Sequence, residues 1–391
     1  MIRSVFVGVV TSVFITLLSG CSSLEPRSEP VTSVAFANYQ ADTIKQLQIG
    51  RPESPNKSDE VLWNAPQQWL PTGHNDQQKP SKGILLMHGL GDSPWSFHDL
   101  GAELAQQGFL ARSILLPGHG TTPADMLDVK AEDWLAVVHQ QAQALQSDVD
   151  GPIYLGGFST GANLILEYAV QHPEVAGLAL FSPGFKSSVP LQWVTPLLAP
   201  FKPWLLDPEA RKTLPAPVRY MNMPTNGFAQ YHRTSALAQQ LLEQPLHRPV
   251  LMVVSEHDSV LDTGYLLEVF QTQFPHPSSR LIWYGQLPEG VQQSERILVK
   301  SDYLPEERIS QFSHMGVLFA PDNPLYGRDG SVKICRNSQD EAQTAACENG
   351  AELWYSAWGY QEEGKVHARL TYNPYFNWQS EVLRTVFSVG K

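Results

Sequence analysis

Short apolar runs alternate with longer, mixed stretches over most of the chain. The runs are apolar or nearly so and occupy residues 84–87, 111–116, 153–155, 178–181, 250–254 and 281–284. Runs of this length are typical of parallel strands that are buried on both faces. The stretches between them, such as 131–145, 162–170 and 265–274, are long enough for connecting helices. The pattern predicts an α/β fold with a mostly parallel, doubly wound sheet.

One interval breaks this alternation. Residues 183–248 contain no strand-like run and are rich in Pro and in large apolar side chains, namely Trp193, Trp204, Tyr220, Met221, Met223 and Tyr231. An insertion of this composition is typical of a cap that covers a site and contacts an apolar ligand. A structural excursion with its own small core is the alternative, and the sequence leaves both open.

The N-terminus carries a separate apolar run. After Arg3, residues 5–18 are uncharged and mostly apolar. A transmembrane helix needs roughly 20 such residues, so the shorter run, ended by small residues, predicts a signal peptide over residues 1–20. Residues 21–82 are rich in Pro, Ser, Gln and Asn, which predicts a flexible tether and an irregular leading segment.

The end of the signal peptide has a specific pattern. Leu18-Ser19-Gly20-Cys21 resembles the bacterial lipoprotein signal, in which cleavage frees the amino group of the Cys and its thiol takes a diacylglyceryl chain. The resemblance implies membrane attachment through Cys21. Ser22 at the next position implies the outer membrane, with the protein facing the periplasm. A chance Cys beside an ordinary cleavage site is the alternative.

Composition and charge narrow the classes of function. With 391 residues, of which 42% are hydrophobic and 17% charged, the chain can bury one large core or two modest ones. The formal net charge is -12, and Lys and Arg are not clustered. A nucleic-acid partner is therefore not expected, because its binding needs a basic surface.

The segment Gly157-Phe158-Ser159-Thr160-Gly161 carries the strongest chemical signal. It follows the apolar run 153–155 and opens the helix-like stretch 162–170. A sharp turn from strand to helix strains the backbone of its central Ser, and small residues on both sides accommodate the turn. The helix then directs unpaired N–H groups at developing negative charge. This context makes an otherwise weak G-x-S-x-G pattern strong and predicts Ser159 as a nucleophile.

Two further segments support a family resemblance. His88-Gly89-Leu90-Gly91-Asp92-Ser93 follows the run 84–87, and Pro117-Gly118-His119-Gly120 follows the run 111–116. With the Ser159 segment, they resemble the carboxylesterase and monoacylglycerol lipase branch of the α/β-hydrolase family. The resemblance implies an α/β-hydrolase domain over residues 83–391, with the cap at about 183–248.

The resemblance also implies roles for residues near Ser159. The backbone N–H groups of Leu90 and Thr160 are expected to form the oxyanion hole, because fixed donors there stabilise negative charge in the transition state. His88 and His119 lie beside Gly residues. We expect these two histidines to make structural hydrogen bonds near the site.

In this family the acid follows the nucleophile in the chain, and the His comes last. The acid is expected after the run 250–254, where Asp258, two residues before Val260, matches the family's D-x-V pattern best. Glu256 and Asp262 are the alternatives, and either could be a solvated surface carboxylate.

His314 is the expected base. It lies in Gln311-Phe312-Ser313-His314-Met315-Gly316-Val317, which resembles the loop that presents the family's catalytic His, whereas His276 and His367 lack this context. Asp258 and His314 are farther apart in the sequence than is usual in the family. Residues 286–310 are therefore expected to hold an insertion, which a loop tolerates.

These residues together predict a serine esterase that forms an acyl-enzyme on Ser159. His314 would accept the hydroxyl proton, and Asp258 would orient its ring. Neither a cofactor nor a metal site is expected, and the substrate would be a small-molecule or lipid ester. Acyl transfer, thioester or peptide hydrolysis on the same residues remain alternatives, as does a non-catalytic ligand-binding lipoprotein.

Cys335 and Cys347 are the only cysteines besides Cys21. In an oxidising periplasm we expect them to form a disulfide. Two free thiols are the alternative, while a zinc site would need companion Cys or His residues at close spacing.

Overall fold

The computed structural model describes residues 36–75, 77–208 and 217–388. The predicted signal peptide, residues 1–20, and the predicted lipidation site Cys21 lie outside the described residues. In the described part of the chain, every helix is too short or too polar to span a bilayer.

A single eight-stranded sheet organises the domain. Its strands are β1 (Gln67–Trp69), β2 (Gly83–Met87), β3 (Leu110–Ile114), β4 (Ile153–Phe158), β5 (Leu178–Phe181), β6 (Val250–Ser255), β7 (Arg280–Tyr284) and β8 (Ile297–Lys300). Their order is β1-β3-β2-β4-β5-β6-β7-β8, and all neighbours are parallel except β1 and β3. The predicted α/β class with a mostly parallel sheet is confirmed.

Helices cover both faces of this sheet. They are α1 (Phe36–Gly50), α2 (Lys57–Asn64), α3 (His98–Gln106), α4 (Ala131–Asp148), α5 (Thr160–Gln171), α6 (Thr195–Leu198), α7 (Thr225–Leu241), α8 (Thr263–Gln273), α9 (Glu341–Glu348) and α10 (Phe376–Phe387). Along β2, Leu85 and Met87 pack with α4, α5 and α8, whereas Ile84 and Leu86 pack with α3 and α10. Strand residues alternate between two buried faces, which explains why central strands such as β2 and β5 are apolar along their whole length.

The segment before β2 was predicted to be irregular, but its described residues contain regular secondary structure. From Phe36 onward, residues 21–82 form α1, α2 and β1. In α1, Phe36, Thr43 and Leu47 are buried, seven and four positions apart, on one side of the helix. Tyr39 adds hydrogen bonds to both the backbone N–H and the carbonyl of Leu115. For the described residues from Phe36 onward, the prediction of irregular structure was wrong, because the buried positions of α1 are few and lie among polar residues.

The predicted cap and the predicted insertion both contain regular elements among their described residues. Within residues 183–248, the segment predicted to be a cap, the described residues form α6 and α7, and α7 packs against α5. Residues 286–310 supply β8, which pairs in parallel with β7 and extends the sheet by one strand. The insertion therefore widens the sheet by one strand and leaves the loops on either side of the insertion in place.

A C-terminal segment follows the loop that carries His314. It contains α9, a parallel pair of strands β9 (Leu353–Ser356) and β10 (Val366–Arg369), and the Cys335–Cys347 disulfide. Its apolar side chains join the layer formed by α3 and α10. Nothing in the hydrophobic pattern predicted this small second sheet.

Candidate active site

Ser159 lies at the junction of β4 and α5 with φ 52° and ψ −117°. A left-handed φ is unusual for a residue other than Gly, and such strain is typical of functional turns. The flanking glycines have no room for a side chain. A Cβ on Gly161 would lie 2.1 Å from the carbonyl oxygen of Met87, and one on Gly157 would lie 2.6 Å from the backbone N of Ala162. The local sequence therefore fixes the tight, buried turn that carries Ser159.

Asp258 and His314 are in direct contact. The Nδ1 of His314 lies 2.6 Å from the Oδ2 of Asp258, whose carboxylate is buried. The other oxygen, Oδ1, accepts hydrogen bonds from the N–H groups of Val260 at 2.9 Å and Leu261 at 3.2 Å. Because the carboxylate accepts from Nδ1, the Nε2 of His314 is left as the proton acceptor.

The two alternative acids have other partners. The Oε2 of Glu256 accepts a hydrogen bond from the N–H of Gln286. Asp262 caps α8 by accepting from the N–H of Tyr265, and it pairs with Lys186 at 2.9 Å. Of the three carboxylates considered from the sequence, the structure places only Asp258 against His314.

The loop of His314 is fixed next to the Ser159 turn. The hydroxyl of Ser182 donates to the carbonyl oxygen of His314 at 3.0 Å, and the rings of Phe158 and His314 lie 4.9 Å apart. Within the described residues, the hydroxyl of Ser159 forms no hydrogen bond. In unliganded enzymes the contact between nucleophile and base is often long and tightens when substrate binds.

The two predicted oxyanion donors also lie at this turn. Thr160 is the first residue of α5, where backbone N–H groups lack a partner within the helix. A Cβ on Gly89, the residue before Leu90, would lie 3.1 Å from the Cβ of Ser159. In the described part of the chain, the N–H groups of Leu90 and Thr160 donate to no protein acceptor. Both are therefore available to an oxygen atom beside Ser159.

His88 and His119 make the expected structural hydrogen bonds. The Nε2 of His88 accepts from the N–H of Leu116 at 3.1 Å, so its Nδ1 carries the proton and donates to the carbonyl of Gly89 at 2.8 Å. Burial lowers the pKa of His88 well below its ordinary value and that of His119 to about 4. Both rings are therefore neutral. His88 connects the loop that carries Leu90 to Leu116, whereas the Nδ1 of His119 lies 3.2 Å and 3.1 Å from the carbonyl oxygens of Leu116 and Pro117 in its own loop.

The other two histidines weighed from the sequence are engaged elsewhere. The Nδ1 of His276 accepts from the N–H of Ser278, and the Nδ1 of His367 lies 3.1 Å from the hydroxyl of Ser356.

An ion pair between a partly buried guanidinium and a buried carboxylate borders the site, and the sequence did not predict it. The Nε of Arg219, in the cap, lies 3.5 Å from the Oδ1 of Asp92. A Cβ on Gly89 would lie 3.2 Å from Asp92 Oδ2, so this carboxylate and Ser159 flank the same backbone position. Burial raises the pKa of Asp92, although Arg219 and His314 both oppose the rise. Asp92 belongs to the segment His88–Ser93, which the sequence singled out, whereas no pattern in the sequence points to Arg219.

A cavity of about 840 Å³ extends from Gly91 and Asp92 to the N-terminal helices. Its walls include Trp63, Trp204, Tyr220 and Met221, and its charged side chains are Arg51, Glu60, Asp92 and Arg219. Arg51 lies 2.5 Å from Glu60, and Arg219 pairs with Asp92. Because each cation has an anion beside it, the lining formed by the described residues has no net charge.

One group of described side chains has metal-ligand spacing. Ligand atoms of Glu256, His257 and Asp302 all lie within 4.8 Å of one another. His257 Nδ1 and Asp302 Oδ2 are already 2.6 Å apart. The close spacing of these side chains is therefore explained by an ion pair between His257 and Asp302, next to Asp258.

Comparison with known proteins identifies the family to which the chain belongs. The sequence model of the family described as "Serine aminopeptidase, S33" matches residues 78–287, more than half of the chain. The chain belongs to this family. The predicted α/β-hydrolase fold and the predicted class of enzyme, a serine hydrolase of carboxylic esters, are confirmed.

Individual relatives share less than one third of their aligned residues with this chain. A thermostable monoacylglycerol lipase from Bacillus sp. (strain H-257) is 28% identical over 195 residues, which cover 48% of this chain and 75% of that protein. A metagenome-derived lipolytic enzyme of known structure is 24% identical, with a TM-score of 0.45, over 56% of this chain and 86% of its own. Monoglyceride lipase from Saccharomyces cerevisiae is 16% identical, with a TM-score of 0.46, over 56% and 82%.

Proposed function

We propose that this esterase cleaves lipid-like esters with a neutral alcohol portion, with Ser159 as nucleophile, His314 as base and Asp258 as the residue that orients the base. The observation that carries the proposal is the 2.6 Å contact between His314 Nδ1 and Asp258 Oδ2 next to the Ser159 turn. This contact gives the imidazole the tautomer that a general base for a hydroxyl requires.

The reaction follows from this arrangement. The hydroxyl of Ser159 attacks the ester carbonyl carbon while His314 Nε2 takes its proton. The N–H groups of Leu90 and Thr160 bind the oxyanion, and each such donor typically contributes about 3 to 4 kcal/mol in the transition state. His314 returns the proton to the departing alcohol. Water, deprotonated by the same base, then releases the acid from Ser159.

The cavity next to Asp92 supports a neutral alcohol portion. Its walls are largely apolar and aromatic, and its two carboxylates each have an arginine beside them. A free carboxylate is the group that would bind the ammonium of a peptide N-terminus, and burying an unpaired charge is costly. The charge pairing therefore favours an uncharged ester over an aminopeptidase substrate. The Bacillus relative, a monoacylglycerol lipase by name, is in line with this choice.

The location is part of the proposal. We place the protein in a bacterial cell envelope, anchored through a lipidated Cys21 and facing the periplasm from the outer membrane. Leu18-Ser19-Gly20-Cys21 supports the anchor. The Cys335–Cys347 disulfide supports an oxidising compartment. Replacing Cys21 with Ser should move the protein from the membrane fraction to the soluble one, and unchanged fractionation would contradict the anchor.

A substrate panel tests the proposed activity. Monooctanoylglycerol, p-nitrophenyl octanoate and alanine p-nitroanilide would be compared by kcat/KM with the native chain and with Ser159→Ala. We expect hydrolysis of both esters, little turnover of the anilide, and loss of ester hydrolysis and of fluorophosphonate labelling in Ser159→Ala. Faster cleavage of the anilide than of either ester would overturn the proposal.

A further inference from the structure

Leu90, one of the two proposed oxyanion donors, lies at the centre of a tight turn. The N–H of Asp92 donates to the carbonyl oxygen of Gly89 at 3.1 Å, and Gly91 has a φ of 75°. A positive φ at the third residue of such a turn is a position where Gly is favoured. The orientation of the turn sets the direction in which the N–H of Leu90 points. A group that holds the turn therefore also holds the proposed oxyanion hole.

Two residues of the segment 217–223, within the predicted cap, hold this turn from outside. The backbone N–H of Tyr220 donates to the carbonyl oxygen of Gly91 at 2.6 Å. The Nε of Arg219 lies 3.5 Å from the Oδ1 of Asp92. Both partners directly follow the oxyanion donor in the chain. The position of the turn therefore depends on where the segment 217–223 is placed.

The N-terminal helices fix the beginning of this segment. The carbonyl oxygen of Pro217 accepts hydrogen bonds from the Nδ2 of Asn64 at 2.6 Å and from the Nη2 of Arg51 at 3.1 Å. Both side chains are buried, with 1% and 8% of their surface accessible. Arg51 also donates to the carbonyl oxygen of Gly120 at 2.5 Å and pairs with Glu60. Because a carbonyl oxygen has two lone pairs, Pro217 can accept both bonds at once and is held in place.

The side chain of Tyr220 adds a second point of attachment, three positions after Pro217. Its hydroxyl donates to the carbonyl oxygen of Gly118 at 3.1 Å and accepts from the N–H of Thr121 at 3.0 Å. The segment 217–223 is thus fixed on both sides of Arg219. One of the two attachments comes from residues that lie before the family segment 78–287.

We propose that Arg51 and Asn64 are positioning residues for ester hydrolysis. Through Pro217 they hold the segment 217–223 against the turn, and this contact keeps the N–H of Leu90 directed at the oxyanion. The inference rests on the proposed function, because it takes Leu90 as an oxyanion donor. Stabilisation of an oxyanion requires donors that are fixed before the reaction, so a small displacement of one donor is costly.

Direct contact with the substrate is the alternative role, since Arg51 and Asn64 also line the larger cavity. The double variant Arg51→Lys, Asn64→Ala of the full chain tests the proposal. The Lys keeps a positive charge beside Glu60, but a single ammonium nitrogen replaces the two guanidinium nitrogens that bind Gly120 and Pro217.

Gln40→Ala is the matched control. The amide of Gln40 donates to the carbonyl oxygen of Pro66 at 2.7 Å, so this variant also removes a side-chain hydrogen bond to a proline carbonyl in the N-terminal segment. Gln40 does not line the cavity and does not contact the segment 217–223 among the described residues. Loss of stability alone should therefore appear in this control as well.

Two inhibitors with the same octyl chain separate positioning from substrate contact. Ser159 adds to the carbonyl carbon of an alkyl trifluoromethyl ketone and forms an oxyanion, so this compound binds as a transition-state analogue. The matching methyl ketone fills the site without forming the oxyanion. In the double variant, kcat/KM for p-nitrophenyl octanoate and affinity for the trifluoromethyl ketone should each fall roughly 10-fold, a part of the roughly 100-fold that a deleted donor costs. Affinity for the methyl ketone should stay close to the native value, as should every constant of Gln40→Ala.

Equal losses of affinity for the two ketones would identify substrate contact and overturn the proposal. Unchanged kcat/KM in the double variant would overturn it too, as would a comparable loss in Gln40→Ala. Ser159→Ala is assayed with the same ester. If that variant kept its activity, the proposed function itself would fail, whereas an inactive Ser159→Ala beside a fully active double variant would reject only the positioning role.

Circular dichroism during heating identifies a variant that does not fold. In that case Asn64→Ala alone, which keeps the hydrogen bond from Arg51 to Pro217, takes the place of the double variant. It should lower kcat/KM and affinity for the trifluoromethyl ketone by the same factor and leave affinity for the methyl ketone unchanged. Native values for all three quantities in Asn64→Ala would then overturn the proposal.

Discussion

His314 Nδ1 lies 2.6 Å from Asp258 Oδ2 although the two residues are 56 positions apart in the chain. The residues between them form α8, β7 and β8. After the added strand β8, the chain returns to the carboxyl end of the parallel strands, where β6 leads into the Asp258 loop. Long insertions between fixed ends cost little additional loop entropy. The contact therefore survives a spacing that the family resemblance alone made doubtful.

The first prediction concerns this contact. Asp258→Asn should lower kcat for p-nitrophenyl octanoate on the order of 10⁴-fold, because the amide no longer holds His314 in the required tautomer. Glu256→Gln and Asp262→Asn are the matched controls, since both remove a nearby carboxylate that has other partners. Steady-state kinetics on folded proteins decide the matter. A larger loss in either control than in Asp258→Asn would assign the acid differently.

The second prediction concerns Gly161. Its Cβ, if present, would lie 2.1 Å from the carbonyl oxygen of Met87, so Gly161→Ala must displace backbone. We expect a loss of more than about 3 kcal/mol in the free energy of unfolding, or failure to fold, measured by urea denaturation. Gly264→Ala is the control, because the closest contact of its Cβ would be an ordinary 3.5 Å. Similar stability of the two variants would show that the turn can relax.

The third prediction concerns pH and stability. A hydrogen bond to Asp302 raises the pKa of His257 above its ordinary value of 6.5, since the protonated ring is stabilised. The unfolded chain lacks this partner, so the resulting stability is fully present below about pH 6.5 and is lost as pH rises through the raised pKa. Asp302→Asn should therefore lower the melting temperature more at pH 5.5 than at pH 9. An equal decrease at both values would contradict this linkage.

The fourth prediction concerns the disulfide. Cys335 and Cys347 close a short loop, with a sequence separation of 12. Replacing both with Ser should lower the free energy of unfolding by about 3 kcal/mol, because the cross-link restricts the unfolded chain. Urea denaturation of the native and variant proteins, each under non-reducing conditions, measures the difference. If reduction of the native chain left its stability unchanged, the cross-link would contribute nothing.

The sequence predicted those parts of the molecule whose cause is local. Strands such as β2 are buried on both faces, so their positions follow from short apolar runs. The Ser159 turn also depends on immediate neighbours, Gly157 and Gly161. Its place between strand and helix could therefore be read directly.

Features that depend on distant contacts could not be read in the same way. Arg219 acquires its position beside the site from Asp92, which belongs to a different part of the chain. The helix α1 is stabilised largely by its contacts with the folded domain, including those of Tyr39 with Leu115. The sequence around Arg219 has no local pattern that distinguishes it from a polar loop, and the sequence of α1 has none that distinguishes it from a surface helix.

The position of His314 bears on how this protein could be divided into modules. The family segment, residues 78–287, contains Ser159 and Asp258 but ends before the proposed base. It also omits α1, α2 and the residues between them, and of these Arg51, just after α1, and Glu60, in α2, form part of the wall of the larger cavity. A fragment trimmed to the shared segment would keep the turn and lack the proton acceptor. The smallest transferable unit is accordingly larger than the segment that matches the family, and it extends beyond that segment on both sides.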